Sequence, residues 1–319
     1  MEDLPKITEV KATRDGWGDA LVELGKKDER IVVLTADLKE STRVERFAQL
    51  FPDRFIECGV AEQNMMGIAA GLAAAGKIPF VSSYAVFSPG RSWEQLRAAV
   101  GYSKLPVKIG GAHTGLAIGA DGATHQGLED IAITRVLPNL VVEVPGDYWE
   151  TRKAVEEAVR IAGPVYIRHT KQATPAVTGK DTDFKIGKAE VWLNTGTDAA
   201  IVGCGPILNE GLAAAKKLRE EGIGVVVVNN HTIKPMDKKA MIETAQLCKA
   251  IVTVEDHQIT GGMGSAVAEV LANNFPVPME FIGVKDSFGE SGSGEELRKK
   301  YGMTADDIVA AVKKVITRK

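Results

Sequence analysis

The sequence has few cysteines and no long apolar run. Its three cysteines lie far apart and show no CxxC spacing, which argues against a disulfide framework and a cysteine metal site. No segment approaches the ~20 apolar residues of a membrane helix. Residues 1–6 lack the apolar region of a signal peptide. Because unpaired cysteines suit a reducing compartment, we expect a cytoplasmic protein.

A large net charge is also lacking. The formal charge of -3 and the pI near 6.0 argue against nucleic acid or a membrane surface as the main partner. Hydrophobic residues make up 45% and charged residues 25%, which is typical of a globular protein with a full core. The length of 319 residues predicts two domains, at about 150 residues per domain.

Short apolar runs rich in β-branched residues alternate with stretches of helical period. Strands are predicted at Ile31–Leu34, Val107–Ile109, Leu140–Val144, Val165–Ile167, Ala200–Val202, Gly224–Asn229 and Ala250–Val254. Helices are predicted at Arg14–Gly25, Glu62–Ala75, Ser92–Gly101, Trp149–Ile161, Asn209–Glu221, Lys238–Leu247, Gly264–Asn273 and Asp306–Ile316. This alternation predicts an α/β protein with two doubly wound parallel-sheet domains. A polar stretch, Ala173–Asp183, places the boundary near residue 180.

One segment, Asp53–Gly67, leads into a helix of mostly small residues that Gly76 ends. Small residues allow another helix to approach closely, so this helix is expected at a crowded interface. Glu62 lies at the helix start. A carboxylate there is also favoured by the helix dipole alone, and that interpretation stays open.

A second segment, Gly110–Gly127, is long, rich in glycine and mostly uncharged. It contains His113, His125 and Asp121, including two of the five histidines of the protein. Structured loops at strand ends bind ligands in open α/β sheets, so the segment predicts a site. By contrast, Gly203–Gly205 and Gly261–Gly264 do not have a dinucleotide-binding pattern, and we interpret the latter as tight strand–helix packing.

These segments resemble the transketolase family, through Gly59–Gln63 and Gly119–Gln126. Glu255–Gln258 together with Gly261–Gly264 is similar to the C-terminal domain of that family. The family also includes 1-deoxyxylulose-5-phosphate synthase and, more distantly, 2-oxoacid dehydrogenase beta subunits. The resemblance implies a thiamine diphosphate pyrimidine-binding domain over residues 1–180 and a transketolase C-terminal-like domain over residues 181–319.

The resemblance implies four residues at the cofactor. Glu62 matches the glutamate that hydrogen-bonds the ring nitrogen of the aminopyrimidine and thereby activates thiamine diphosphate. Tyr84 and Phe87 match the aromatic residues that stack on this ring, although plain core aromatics remain an alternative. Asp37 matches a residue that contacts the cofactor region.

The resemblance also implies residues for a sugar phosphate. His113 and His125 match substrate-facing histidines, and a histidine is expected to serve as a catalytic base. The other matched substrate-binding positions are Arg14, Ser41, Asp121 and either Lys171 or Arg168. Arginine and hydroxyl donors suit a phosphate, whereas lysine holds it as a point charge. Each basic residue taken singly is equally well explained as a solvated surface charge.

The family motif that holds the diphosphate through a divalent metal is not found here, since the sequence has no Gly-Asp-Gly followed by an asparagine. We therefore assign no metal ligands to this chain. The resemblance implies that a separate diphosphate-binding subunit supplies the ligands of Mg²⁺ or Ca²⁺, and that two chains of each kind form a heterotetramer.

The expected function is that of the C-terminal subunit of a transketolase, which moves a two-carbon ketol unit between sugar phosphates. A 1-deoxyxylulose-5-phosphate synthase-like subunit is the first alternative, and His113 counts against it. A 2-oxoacid dehydrogenase beta-like subunit is the second, and the loop with two histidines counts against it. A non-catalytic module of the same fold is the third.

Overall fold

The computed structural model describes residues 5–319, so the expectation of no signal peptide rests partly on residues 1–4, outside this range. The strands are β1 (Glu9–Ala12), β2 (Ile31–Thr35), β3 (Phe55–Glu57), β4 (Ile78–Tyr84), β5 (Lys108–Ala112), β6 (Val141–Glu143), β7 (Val165–Arg168), β8 (Ala173–Ala176), β9 (Glu190–Asn194), β10 (Ala199–Gly203), β11 (Val225–Asn229), β12 (Thr232–Lys234), β13 (Ile251–Gln258) and β14 (Met279–Val284). The α-helices are α1 (Thr13–Lys27), α2 (Glu45–Leu50), α3 (Glu62–Ala74), α4 (Trp93–Gln95), α5 (Asp130–Arg135), α6 (Tyr148–Ala158), α7 (Leu208–Glu220), α8 (Lys238–Cys248), α9 (Met263–Asn274), α10 (Gly294–Lys300) and α11 (Ala305–Ile316). Short 3₁₀ segments cover Pro52–Arg54 and Leu116–Asp121, and a π-helical stretch, Leu96–Gly101, continues α4. Within residues 5–319, none of the helices combines the length and apolarity needed to cross a bilayer.

The first sheet has the strand order β12-β6-β7-β5-β4-β2-β3, and its strands run parallel except for β12. Its side chains alternate between two apolar layers, as expected for strands buried on both faces. Ile31 and Val33 of β2 share a core cluster with residues of α1 and α6. Val32 and Leu34 pack on the opposite face with residues of α3. Helices therefore cover both faces of the sheet.

The second sheet has the order β14-β13-β10-β11-β9, in which only β9 is antiparallel to its neighbour. The same alternation is seen here, because Ile201 packs with α7 and α11 whereas Val202 faces the cluster shared with α8 and α9. The predicted α/β class with parallel sheets is confirmed.

The two large sheets share an apolar core, and the second half of the chain contributes one strand to the first sheet. The cluster under α3 also contains Val202 and Val228 of the second sheet. In addition, β12, which belongs to the second half of the chain, pairs with β6 at the edge of the first sheet, with Thr232 opposite Glu143. The two halves are therefore joined by an apolar core and by backbone hydrogen bonds.

Several elements were not predicted from the sequence. The bounds of β4 were not predicted either; its seven residues are all buried, and it lies between β2 and β5. Its sequence contains Pro79 and two serines, Ser82 and Ser83, which interrupt the apolar run. The predicted helix Ser92–Gly101 is present as α4 and its π-helical continuation.

Candidate active site

Glu62 is the first residue of α3 and is almost fully buried, with 2% of its surface exposed. Its Oε2 accepts a hydrogen bond of 2.7 Å from Nη1 of Arg91, whose side chain is half exposed. The guanidinium of Arg91 also lies 4.9 Å from the ring centre of Phe87. A carboxylate is thus held at a helix start, inside the protein, by one arginine.

Aromatic rings and both predicted histidines lie next to one another. Tyr84 and Phe87 are stacked with ring centres 5.9 Å apart, and Tyr84 stacks on His113 at 4.0 Å. His125 meets Phe87 edge-on at 5.4 Å and Tyr84 at 6.1 Å. Leu38 packs against the same group. The structure therefore brings together residues that follow β2, β4 and β5, at the carboxyl ends of parallel strands where ligands bind in such sheets.

His113 is buried and electrically neutral. Burial, followed by the charge of Arg14, lowers the pKa of His113 to about 3. Nη1 of Arg14 lies 3.5 Å from Nε2 of His113, and an arginine can only donate, so Nε2 carries the lone pair and Nδ1 the proton. Nδ1 has no partner among the described residues. His113 therefore offers a hydrogen-bond donor and is a poor proton acceptor at neutral pH.

Arg14 contacts one further predicted substrate residue, Ser41, and lies beside the segment that contains Lys171. Its Nη1 donates to the backbone oxygen of Ser41 at 3.0 Å, and its backbone N–H donates to the oxygen of Thr170. Next to Thr170, Nζ of the exposed Lys171 lies 3.9 Å from Oδ2 of Asp121. Arg14 thus lies at His113, and the ion pair of Lys171 with Asp121 follows in the next residues.

Asp37 lies in the loop after β2 and is exposed, with its backbone in the left-handed region at φ 60°. Its backbone N–H donates to Oε1 of Glu57 at 2.8 Å, and the same oxygen accepts from Gly59 at 3.0 Å. This hydrogen bonding fixes the loop beside the segment that leads to Glu62.

Arg168 is placed differently from the other predicted substrate residues. Its guanidinium is buried in an ion pair with Asp130 at 2.8 Å and also donates to the backbone oxygens of Gly127 and Asp256. Burial alone raises the pKa of Asp130, but Arg168 and its other partners lower the pKa below its ordinary value. Because these contacts occupy the guanidinium, Lys171 is the better candidate of the two for a substrate phosphate.

The glycine-rich loop is anchored from the second half of the chain. The carboxylate of Asp256 accepts hydrogen bonds from the backbone of Leu116 at 2.9 Å and Ala117 at 3.4 Å. Gly115 has φ 72°, and a Cβ at this position would lie 2.2 Å from Oδ2 of Asp256, so only glycine fits. The side chain of Gln126 donates to the backbone oxygen of Glu290 at 2.9 Å.

Sequence reasoning missed Arg91, Asp130 and Asp256 as parts of this arrangement. Asp256 lies in the motif that resembles the C-terminal domain, but nothing in that motif says that its carboxylate reaches a loop 139 residues away. Arg91 follows Phe87 by four residues, and a cation close to the predicted aromatic wall was the one available signal.

A buried histidine beneath the site predicts a pH dependence of stability. His169 stacks on Trp17 at 5.2 Å, and both of its ring nitrogens lack partners among the described residues. Burial, then Arg14, lowers the pKa of His169 to about 3. The unfolded chain takes up this proton near pH 6.5, so the stabilisation is complete above about pH 6.5 and is lost progressively towards pH 3.

The variant His169→Phe tests this dependence, because phenylalanine keeps the stacking and does not titrate. Between pH values of about 7.5 and 5, wild type is expected to lose about 2 kcal/mol more free energy of unfolding than the variant. Urea unfolding at both pH values gives the two losses. Equal losses in wild type and variant contradict a neutral, buried His169.

Comparison with known protein families assigns both halves of the chain. The family model of the transketolase pyrimidine binding domain matches residues 9–177, and that of the transketolase C-terminal domain matches residues 187–308. The chain belongs to the transketolase family. Transketolase-family domains imply the use of thiamine diphosphate in general.

Three relatives show what share of a known transketolase this transketolase-family chain matches. A solved structure described as a split gene transketolase, inactive beta4 tetramer, is 48% identical with a TM-score of 0.90, and the match covers 97% of this chain and 99% of the other. The 6-deoxy-6-sulfo-D-fructose transketolase subunit SqwH of Clostridium sp. is 42% identical over 96% of this chain and 95% of its own length. Transketolase of Rattus norvegicus is 40% identical over 98% of this chain but only 50% of its own length. The chain is thus similar to whole subunits of split transketolases and to half of a long one.

The residues of this transketolase-family chain fit one end of thiamine diphosphate. A buried carboxylate, Glu62, lies beside the stacked rings of Tyr84 and Phe87, and an aminopyrimidine needs both an acid partner and an aromatic surface. The fit is therefore with the pyrimidine ring.

Proposed function

We propose that this chain is the C-terminal subunit of a split transketolase, which transfers a two-carbon ketol unit between sugar phosphates. The observation that carries the proposal is the buried Glu62, which Arg91 links to Phe87. Phe87 in turn lies in one cluster with Tyr84 and the two histidines. The similarity to subunits of split transketolases over nearly their whole length supports it.

Thiamine diphosphate, when bound, supplies the nucleophilic carbon on which the ketol unit is carried. Glu62 is proposed to share a proton with the ring nitrogen of the aminopyrimidine. Arg91 engages Oε2, so we expect Oε1 to contact the cofactor. In a buried setting this hydrogen bond is stronger than it is in water. Tyr84 and Phe87 hold the ring by stacking, and Asp37 is proposed to contact the cofactor region from the exposed loop after β2.

The two histidines are proposed to act differently at the substrate. His125 is only partly buried, and its Nδ1 lies 2.8 Å from Oγ1 of Thr124, so it is the candidate for the base that takes a hydroxyl proton. His113 is proposed to donate a hydrogen bond from Nδ1, because burial and Arg14 keep its imidazole neutral.

The distal end of the substrate carries an anion. Arg14, Ser41 and Lys171 are proposed to hold a phosphate, and Asp121 is proposed to accept a hydrogen bond from a sugar hydroxyl. A similar subunit is named for a sulfosugar, 6-deoxy-6-sulfo-D-fructose, so a sulfonate is the alternative anion. Phosphate therefore remains the specific choice that experiment must test.

Paired variants separate these roles. Arg14→Ala is expected to raise KM for phosphorylated sugars by about 10-fold or more, because a charge-assisted hydrogen bond is lost in ground and transition states alike. Arg160→Ala is the matched control, since Arg160 is exposed and precedes β7. It therefore lies towards the amino ends of the parallel strands, whereas the site lies at their carboxyl ends. Assays of the assembled enzyme with phosphorylated and unphosphorylated sugars provide the comparison. An equal effect on both sugars contradicts the phosphate assignment.

Asp121→Ala is expected to reduce the discrimination between hydroxyl configurations about 10-fold or more, because a site that hydrogen-bonds a hydroxyl rejects analogues that cannot make the bond. The measurement is kcat/KM for sugars that differ in one hydroxyl configuration. Asp53→Ala, in the 3₁₀ segment before β3, serves as the control. An unchanged preference in Asp121→Ala leaves this loop with a structural role only.

The assembly and location are also proposals. A separate diphosphate-binding subunit is proposed to hold Mg²⁺ or Ca²⁺ and to form a heterotetramer with this chain. We keep the domain division near residue 180, in the segment between β8 and β9. The three free cysteines support a cytoplasmic location.

A further inference from the structure

Three ligand-type side chains from separate segments converge where the two halves of the chain meet. Glu150 lies in the first turn of α6, Glu190 is the first residue of β9, and His231 precedes β12. One carboxylate oxygen from each glutamate and one imidazole nitrogen of His231 lie within 4.8 Å of one another. Among the described residues, this is the one group with such geometry.

The histidine lacks a partner that its burial requires. His231 is 0% exposed, and its Nε2 has no hydrogen bond among the described residues. Its Nδ1 lies 2.9 Å from Oγ1 of Thr232, which also accepts from the backbone of Gly187. The tautomer with its proton on Nδ1 donates to this oxygen and leaves a lone pair on Nε2. Metal-bound histidines are oriented in this way by a hydrogen bond from the other nitrogen.

The carboxylate of Glu150 is also oriented from outside the cluster. Its Oε2 accepts from the backbone of Gly146 at 2.7 Å, and its Oε1 accepts from Nδ2 of Asn229 at 2.7 Å. Each oxygen keeps a second lone pair. The amide oxygen of Asn229 is itself buried without a partner, which adds a further acceptor beside Glu150. Hydrogen-bonded carboxylates of this kind are typical of metal sites.

The local charge favours a cation. Glu150 and Glu190 lie near Asp147, and Lys153 is the cation that acts on all three carboxylates. Lys153 in turn donates to the backbone oxygens of Gly179 and Thr182.

We propose that Glu150, Glu190 and His231 bind one zinc ion, with water as the fourth ligand. Carboxylate oxygens and imidazole nitrogens are both ligands that zinc takes in proteins, and zinc binds such donors more tightly than manganese or magnesium does. Tetrahedral zinc with bonds of about 2.0–2.1 Å holds its ligands about 3.3 Å apart, so the three side chains move together by up to about 1.5 Å. The ion ties α6 to β9 and to the connection between β11 and β12. This site is independent of ketol transfer.

Zinc binding is measured on the untagged full chain after removal of metal by a chelator. Isothermal titration and metal analysis are expected to give one tightly bound zinc per chain, and zinc is expected to raise the thermal midpoint by about 5 °C. In Glu190→Gln, zinc affinity is expected to fall at least about 10-fold and the thermal shift to shrink by about half or more. Glu190 is only half-buried, so this variant should keep the fold. Glu156→Gln, on the same helix, is the control that retains both effects.

Several outcomes overturn the proposal. If wild type binds no zinc, the proposal is wrong. If wild type and Glu190→Gln bind zinc equally well, the ion lies at another site. Cobalt provides a second test that needs no variant. Its visible spectrum is expected to show tetrahedral coordination without a thiolate charge-transfer band, and a thiolate band would move the metal to a cysteine such as Cys58.

Discussion

Purified alone, the chain is expected to show no measurable ketol transfer and to bind thiamine diphosphate weakly. It offers Glu62 and two stacked aromatics for the pyrimidine ring, but its sequence has no motif for the diphosphate and its metal. The other half of the binding surface is proposed to come from the diphosphate-binding subunit. The similar chain described as an inactive beta4 tetramer fits this expectation.

The experiment mixes the chain with the proposed diphosphate-binding subunit at varied ratios, in the presence of cofactor and Mg²⁺. Activity is expected to appear only in the mixture and to saturate at equal amounts of the two chains. Light scattering is expected to show a complex with two copies of each. Robust turnover by the lone chain contradicts the split-enzyme proposal.

The second large effect is expected from Glu62→Gln in the assembled enzyme. Glutamine keeps the volume of the side chain and can still accept the hydrogen bond from Arg91, so the fold should persist. The amide cannot share a proton with the aminopyrimidine as a carboxyl group does. We expect kcat to fall by about 100-fold to 10,000-fold, which is the usual contribution of a positioned acid or base.

The matched control is Glu45→Gln, because Glu45 is also the first residue of a helix, α2. If the helix dipole alone explained a glutamate at position 62, the two variants would both lose a little stability and little activity. The affinity for thiamine diphosphate is expected to change less than 10-fold in either variant. A kcat of Glu62→Gln within about 10-fold of wild type removes Glu62 from its proposed role.

Much of the fold could be predicted because its strands carry their own signal. Runs such as Ile31–Leu34 are continuous and β-branched, and parallel strands buried on both faces require such runs. The bounds of β4 were not predicted, because a proline and two serines interrupt its apolar run and are accommodated by residues distant in the sequence. The pairing of β12 with β6 joins residues 89 positions apart, Thr232 and Glu143, and has no local signature.

The candidate site could likewise be predicted only in part. Glu62, Tyr84, Phe87 and the histidine loop were predicted because they lie in short motifs. The partners that fix them were not, since each contact joins distant parts of the chain. The case of Arg168 shows the difference, because a basic residue at a strand end fits a phosphate ligand equally well until its ion pair with Asp130 is seen.

Glu62 is proposed to activate the cofactor in a site of which this chain provides only the pyrimidine-binding half. The most direct test is the exchange of the thiazolium carbon proton for deuterium in the assembled complex, followed by rapid quenching and NMR. Wild type is expected to exchange this proton orders of magnitude faster than Glu62→Gln. The same exchange rate in both complexes would contradict the proposed role of Glu62 in cofactor activation, whatever the ketol-transfer rates are.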